Sequence, residues 1–109
     1  MAKDDYHVIV YQILAYLYGQ LKKGGTVNPS AISHNGELFE INYSYWVYIM
    51  ENLLNEGYVT GISITDNSQV RGLGKCKITP KGIEYICNDN MLDKVMDYIR
   101  GRKDIPTSI

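Results

Sequence analysis

The chain has 109 residues, a formal net charge of −1 at pH 7 and a pI near 6.1, which excludes the strongly basic class that holds nucleic acid by bulk charge alone. Its 45% hydrophobic and 21% charged content is that of a soluble globular chain, and one domain of this size can bury a core without disulfide or metal staples. No apolar run approaches the roughly 20 residues of a membrane span, and Met1-Ala2-Lys3-Asp4-Asp5 lacks a signal peptide's apolar core, so the cytoplasm is the expected compartment.

Asp4 or Asp5 can cap a first helix, where a carboxylate also suits the positive helix end. Val10, Ile13, Leu14, Leu17 and Leu21 then recur at helical spacing. Lys22 and Lys23 suit the negative end, and Gly24-Gly25 stops the helix, which spans roughly 5 to 23. Thr26-Val27 reads as a short extended piece. Asn28-Pro29, a cap residue with proline at the first helical position, opens a short second helix with Ala31 and Ile32 inside. Asn35-Gly36 is a turn signal, and Leu38, Phe39 and Ile41 form an apolar cluster after it.

Asn42 caps a third helix over about 43 to 56, with Trp46, Ile49, Met50, Leu53 and Leu54 as its buried stripe. Ser44, Tyr48, Glu51, Asn52 and Asn55 lie opposite, with Tyr45 and Val47 at the margins, and Gly57 ends the helix. Tyr58 to Thr65 has strand composition, Asp66-Asn67-Ser68 is turn-forming, and Lys75 to Thr79 alternates basic with apolar residues. These segments predict a hairpin with a loop of about eight residues, long for its kind. Thr79-Pro80 repeats the cap-plus-proline start for a fourth helix burying Ile83, Ile86 and Cys87. After Asn88-Asp89-Asn90, Leu92, Val95, Met96 and Ile99 mark a fifth amphipathic helix, and residues 102–109 read as a flexible tail.

The predicted order is therefore α-β-α-α-β-β-α with an extra C-terminal helix: an α+β, mainly helical, winged helix-turn-helix domain over residues 1–101, its wing at about 58–79. The runs Leu53-Leu54-Asn55-Glu56-Gly57-Tyr58-Val59 and Ile78-Thr79-Pro80-Lys81-Gly82-Ile83 resemble the helix-wing-helix segment of bacterial regulators of the MarR and PadR type. More closely, the Trp46 helix with Glu56-Gly57-Tyr58-Val59 and the Ile78-Thr79-Pro80-Lys81-Gly82 run are similar to the YjcQ family of small bacterial and phage-associated proteins, over nearly all of residues 3 to 100. The resemblance implies a winged-helix fold and carries over no activity and no functional residues.

Chemistry is sparsely indicated. His7 and His34 have no cysteine or second histidine at ligand spacing, and Gly72-Leu73-Gly74 sits in a hairpin rather than between a strand and a helix. The expectation is a protein with no catalytic activity, no cofactor and no metal. Cys76 and Cys87, eleven residues apart, are expected to be reduced core thiols. In a helix-turn-helix the second helix presents its first turns to base edges. Here the candidate contacts to double-stranded DNA are Asn42, Ser44, Tyr45 and Tyr48, with Arg71, Lys75 and Lys77 of the wing on the backbone. Asn reads adenine and Ser reads weakly, but residues 37 to 68 hold no Arg or Lys, and Glu37, Glu40, Glu51 and Glu56 repel phosphate. From Asn67 to Ile83 the charge is all basic, with Arg71, Lys75, Lys77 and Lys81. Those cations either grip phosphates or protect an edge strand from pairing. The alternative function is a protein-interaction winged helix that does not bind DNA, using the acidic, tyrosine-rich face of the third helix. Ten tyrosines against one Phe and one Trp suit either interfaces or the rim of a small core. The fifth helix either packs on the first or pairs with its own copy in a homodimer.

Overall fold

A computed structural model describes residues 5–87. The expected fifth helix, the tail and the break at Asn88-Asp89-Asn90 lie outside these residues. The described fold is α+β and winged-helix-like: α1 (Asp5–Lys22), a 3-10 turn (Pro29–Ala31), α2 (Tyr43–Asn55), β1 (Val59–Thr60), β2 (Ser63–Ile64), β3 (Val70–Arg71), a second 3-10 turn (Leu73–Lys75), β4 (Lys77–Ile78) and α3 (Pro80–Ile86).

The core forms where the apolar stripes meet. Ile9, Val10, Ile13, Leu14 and Leu17 of α1 pack with Ile32, with Trp46, Ile49, Met50 and Leu53 of α2, and with Val59, Cys76 and Ile78 of the sheet. Each such fully buried aliphatic side chain stabilises the fold by about 1.5–3 kcal/mol relative to exposure. The Trp46 indole N–H donates to the Ile32 carbonyl at 2.9 Å, so the one large polar tip in this core is satisfied. Leu21 departs from its expected role. It lies one turn beyond the packed part of α1 and is 50% exposed. Leu54 and Ile83 are half-buried, and Cys87, the C-cap residue just beyond the buried Ile86 that ends α3, is exposed rather than buried.

Two expected elements are corrected. Thr26-Val27 joins no strand; it is irregular chain leading from α1 to Asn28. The second helix is a single 3-10 turn. Asn28 caps it by accepting from Ser30 N–H at 3.1 Å, as the Asn-Pro pair suggests. The chain then reverses. The Ser30 carbonyl accepts from Glu37 N–H at 3.2 Å, where a continuing helix would have used residue 34. Gly36 makes this possible, because a Cβ there would lie 2.0 Å from the Ser30 carbonyl oxygen. An isolated bridge between Asn35 and Glu40 closes the small loop.

The wing also differs in detail. The hairpin is paired twice, at its base (Val59↔Ile78, Thr60↔Lys77) and near its tip (Ser63↔Arg71, Ile64↔Val70). Residues 72–76 bulge between the two ladders opposite Gly61-Ile62. Gly61 has φ +94°, and a Cβ there would meet the Lys75 carbonyl at 2.1 Å, so the crossing of the two arms requires glycine. The loop is therefore residues 65–69, five rather than about eight. Thr65 organises it: its hydroxyl oxygen accepts from Asn67 N–H at 3.3 Å and Gln69 N–H at 3.2 Å, and its N–H donates to the Gln69 carbonyl at 2.9 Å.

Candidate nucleic-acid interface

Asn42 is the N-cap of α2. Its side-chain oxygen accepts from Ser44 N–H at 2.8 Å and Tyr45 N–H at 3.3 Å, so that acceptor is committed to the helix and is removed from base reading. Ser44 and Tyr48 are exposed on the outward face, Tyr48 at 57%, beside Glu51 and Asn55. Tyr45 is half-buried against the core. The outward face of α2 thus carries one carboxylate and no cation.

The wing meets this helix at its start. The Tyr43 hydroxyl donates to the Ser68 carbonyl at 2.8 Å, 25 residues away, tying the wing tip to the first turn of α2. Tyr43 is braced from below by His34, edge-on at 5.1 Å between ring centroids, and by Trp46 at 5.7 Å. His34 is thereby a packing residue that connects the Pro29 turn to α2. On the other side of the tip, Arg71 Nη2 donates to Gln69 Oε1 at 3.1 Å. The guanidinium is therefore tied to Gln69, the residue next to the Ser68 anchor.

Lys75 and Lys77 are placed elsewhere. Both line a groove of about 170 Å³ between the end of α1 and the base of the wing, together with Leu17, Leu21 and Val27. Of the seven sequence-derived contacts, Asn42 and Ser44 lie at the start of α2, Tyr48 follows one turn along, and Arg71 lies in β3 beside the wing tip that Tyr43 anchors. The two lysines belong to a second surface. Tyr43, expected as the first residue of the groove-facing stretch, instead spends its hydroxyl on the Ser68 carbonyl. Gln69 is not among the expected contacts, and no spacing in the sequence pairs it with Arg71.

A third feature lies where the far ends of α1 and α2 meet α3. Tyr58 and Tyr85 stack with centroids 4.5 Å apart, and Lys81 Nζ sits 5.6 Å from the Tyr58 ring centre. The Tyr6 hydroxyl is bonded to the Asn52 side chain. Burial raises the pKa of Tyr6 and Tyr85 above the ordinary phenol value, and the neighbouring Tyr58 and Glu56 add to the effect at both. Burial also pushes the Cys76 thiol up to about 12.

Among the described residues no helix is long and apolar enough to cross a membrane. The family model described as YjcQ protein matches residues 11–105. This chain belongs to the YjcQ family. No curated protein and no solved structure matches it. The YjcQ match spans both faces of the domain and so does not choose between them; the choice rests on side-chain geometry.

Proposed function

We propose that this YjcQ-family protein is a cytoplasmic, non-catalytic regulatory module that binds double-stranded DNA through the first turns of α2 and the wing tip. The observation that carries this reading is the Tyr43–Ser68 hydrogen bond, which makes helix start and wing tip one surface. Helix-turn-helix proteins present the N-terminal residues of the recognition helix to base edges, and helix N-termini favour phosphate. Ser44 and Tyr48 would reach into the groove, and Arg71 would take the adjacent phosphate. Lys75 and Lys77, set at the wing base, would add backbone attraction at longer range. The test is fluorescence anisotropy of a labelled duplex of about 20 base pairs over a salt series, comparing the wild type with Arg71→Gln. Loss of one phosphate contact should make the log–log salt slope shallower by about 0.9. An absence of binding at low salt, or an unchanged slope in the variant, would sink the proposal.

A second reading is supported by the outward face of α2, where Glu51 stands without a cation and Tyr48 is 57% exposed. An exposed tyrosine beside a carboxylate suits a protein partner, because tyrosine is enriched among the few residues that dominate binding in such interfaces. Under this reading the domain is a winged-helix interaction module and does not bind DNA.

A further inference from the structure

The groove between α1 and the wing base combines apolar lining with two lysines in a way that long-range attraction to DNA does not require. Its lining is mostly apolar: the buried Leu17 and Cys76, the partly buried Val27 and the half-exposed Leu21 stand with Gln20 and Thr26. Lys75 and Lys77, both exposed, also line it and supply its only charges. Lys22, in the last turn of α1, lies outside the lining, its ammonium over the Tyr18 ring at 4.7 Å. Among the described residues, the lining contains no carboxylate. The volume of about 170 Å³ is slightly above that of an apolar cavity known to take a single benzene ring, so the guest must be small.

An apolar trough with cations on its rim complements a molecule with an apolar body and one anionic end. A neutral hydrocarbon would leave the lysines unused, and a cation would be repelled. We propose that this groove binds a small aliphatic carboxylate, its tail against Leu17, Leu21 and Val27 and its carboxylate at Lys75 and Lys77. The site is built partly from the bulge that joins the two ladders of the wing. An occupant therefore bridges α1 to the wing, which gives the domain a means of sensing such an acid.

The experiment is a titration of isotope-labelled protein with hexanoate, 1-hexanol and hexylamine in turn, followed by backbone amide shifts. Hexanoate should produce saturable shifts confined to residues near 17–27 and 73–77, with a midpoint on the order of 1 mM for so few non-hydrogen atoms. Hexanol should bind at least about five-fold more weakly at the same place, and hexylamine should not saturate. The double variant Lys75→Gln/Lys77→Gln should weaken hexanoate by about three- to ten-fold and leave hexanol unchanged. Leu21→Gln, at an exposed position that the fold does not depend on, should weaken both. Scattered or non-saturating shifts with hexanoate would overturn the proposal. Equal binding of hexanoate and hexylamine, or unchanged hexanoate affinity in the lysine variant, would do the same.

Discussion

Gly19 and Gly82 both lie inside helices, and replacing each with alanine should move stability in opposite directions. In an open helix interior, Gly→Ala stabilises by roughly 0.5–1 kcal/mol because alanine loses less backbone entropy on folding. At Gly19 a Cβ would meet nothing within 4 Å, so Gly19→Ala should show that gain undiminished. At Gly82 the same Cβ would lie 2.4 Å from the Tyr58 carbonyl oxygen and 2.8 Å from Ile78 Cγ1. Neither neighbour can yield easily. The Tyr58 carbonyl accepts from Thr79 N–H at 3.0 Å, which ties the entry of β1 to the cap of α3, and Ile78 is paired with Val59. Overpacking of this kind costs about 1–3 kcal/mol, and two simultaneous clashes belong at the upper end. Subtracting the propensity gain leaves Gly82→Ala destabilised by about 2–2.5 kcal/mol, or roughly 10 °C in Tm for a domain of this size. Urea denaturation with an unchanged m-value is the assay. If Gly82→Ala were as stable as the wild type, the close packing of α3 on the hairpin would be wrong.

Other predictions follow from the same contacts. Asn42→Ala removes the α2 cap and should cost about 1 kcal/mol by urea denaturation. Tyr43→Phe should change stability by about 1 kcal/mol or less, since the bond is exposed, but should speed amide hydrogen exchange across residues 65–70 by freeing the wing tip. Glu51→Lys should tighten duplex binding several-fold if α2 faces DNA, as anisotropy would show, and should leave it absent if the tyrosine face serves a protein partner. The Cys76 thiol, raised to about 12 from the ordinary 9, is favoured neutral in the fold, so its contribution is complete below pH 9 and is lost as pH rises towards 12. Tyr6 and Tyr85, raised above 10, act in the same direction, so stability should fall across the alkaline range. Alkylation at pH 8 should modify the exposed Cys87 and spare the buried Cys76.

The parts of the fold that were readable in advance are those set by local signals. Asn42, Gly57 and Thr79-Pro80 bound α2 and α3 nearly to the residue, because capping and chain reversal are decided within a turn. The segments that misled depend on contacts distant in sequence. Asn28-Pro29 starts a helix correctly, but the Glu37–Ser30 hydrogen bond ends it after one turn, and that bond depends on how closely Gly36 can approach. Val70-Arg71 carries no strand alternation of its own because the bulge follows it at once; its pairing with Ser63-Ile64 depends on the arms crossing at Gly61. The candidate site divides in the same way. Ser44, Tyr48 and Arg71 follow from helix phase and charge. The separation of Arg71 from Lys75 and Lys77 does not, because the bulge that turns the lysines towards α1 has no spacing signature.

The most direct test of DNA binding is a titration of isotope-labelled protein with a duplex of about 20 base pairs, read by backbone amide shifts at low and moderate salt. Salt-sensitive shifts confined to residues near 43–48 and 67–71 are the predicted result. An absence of shifts at low salt, where electrostatic attraction is strongest, would contradict the account and leave the tyrosine face of α2 as the working surface.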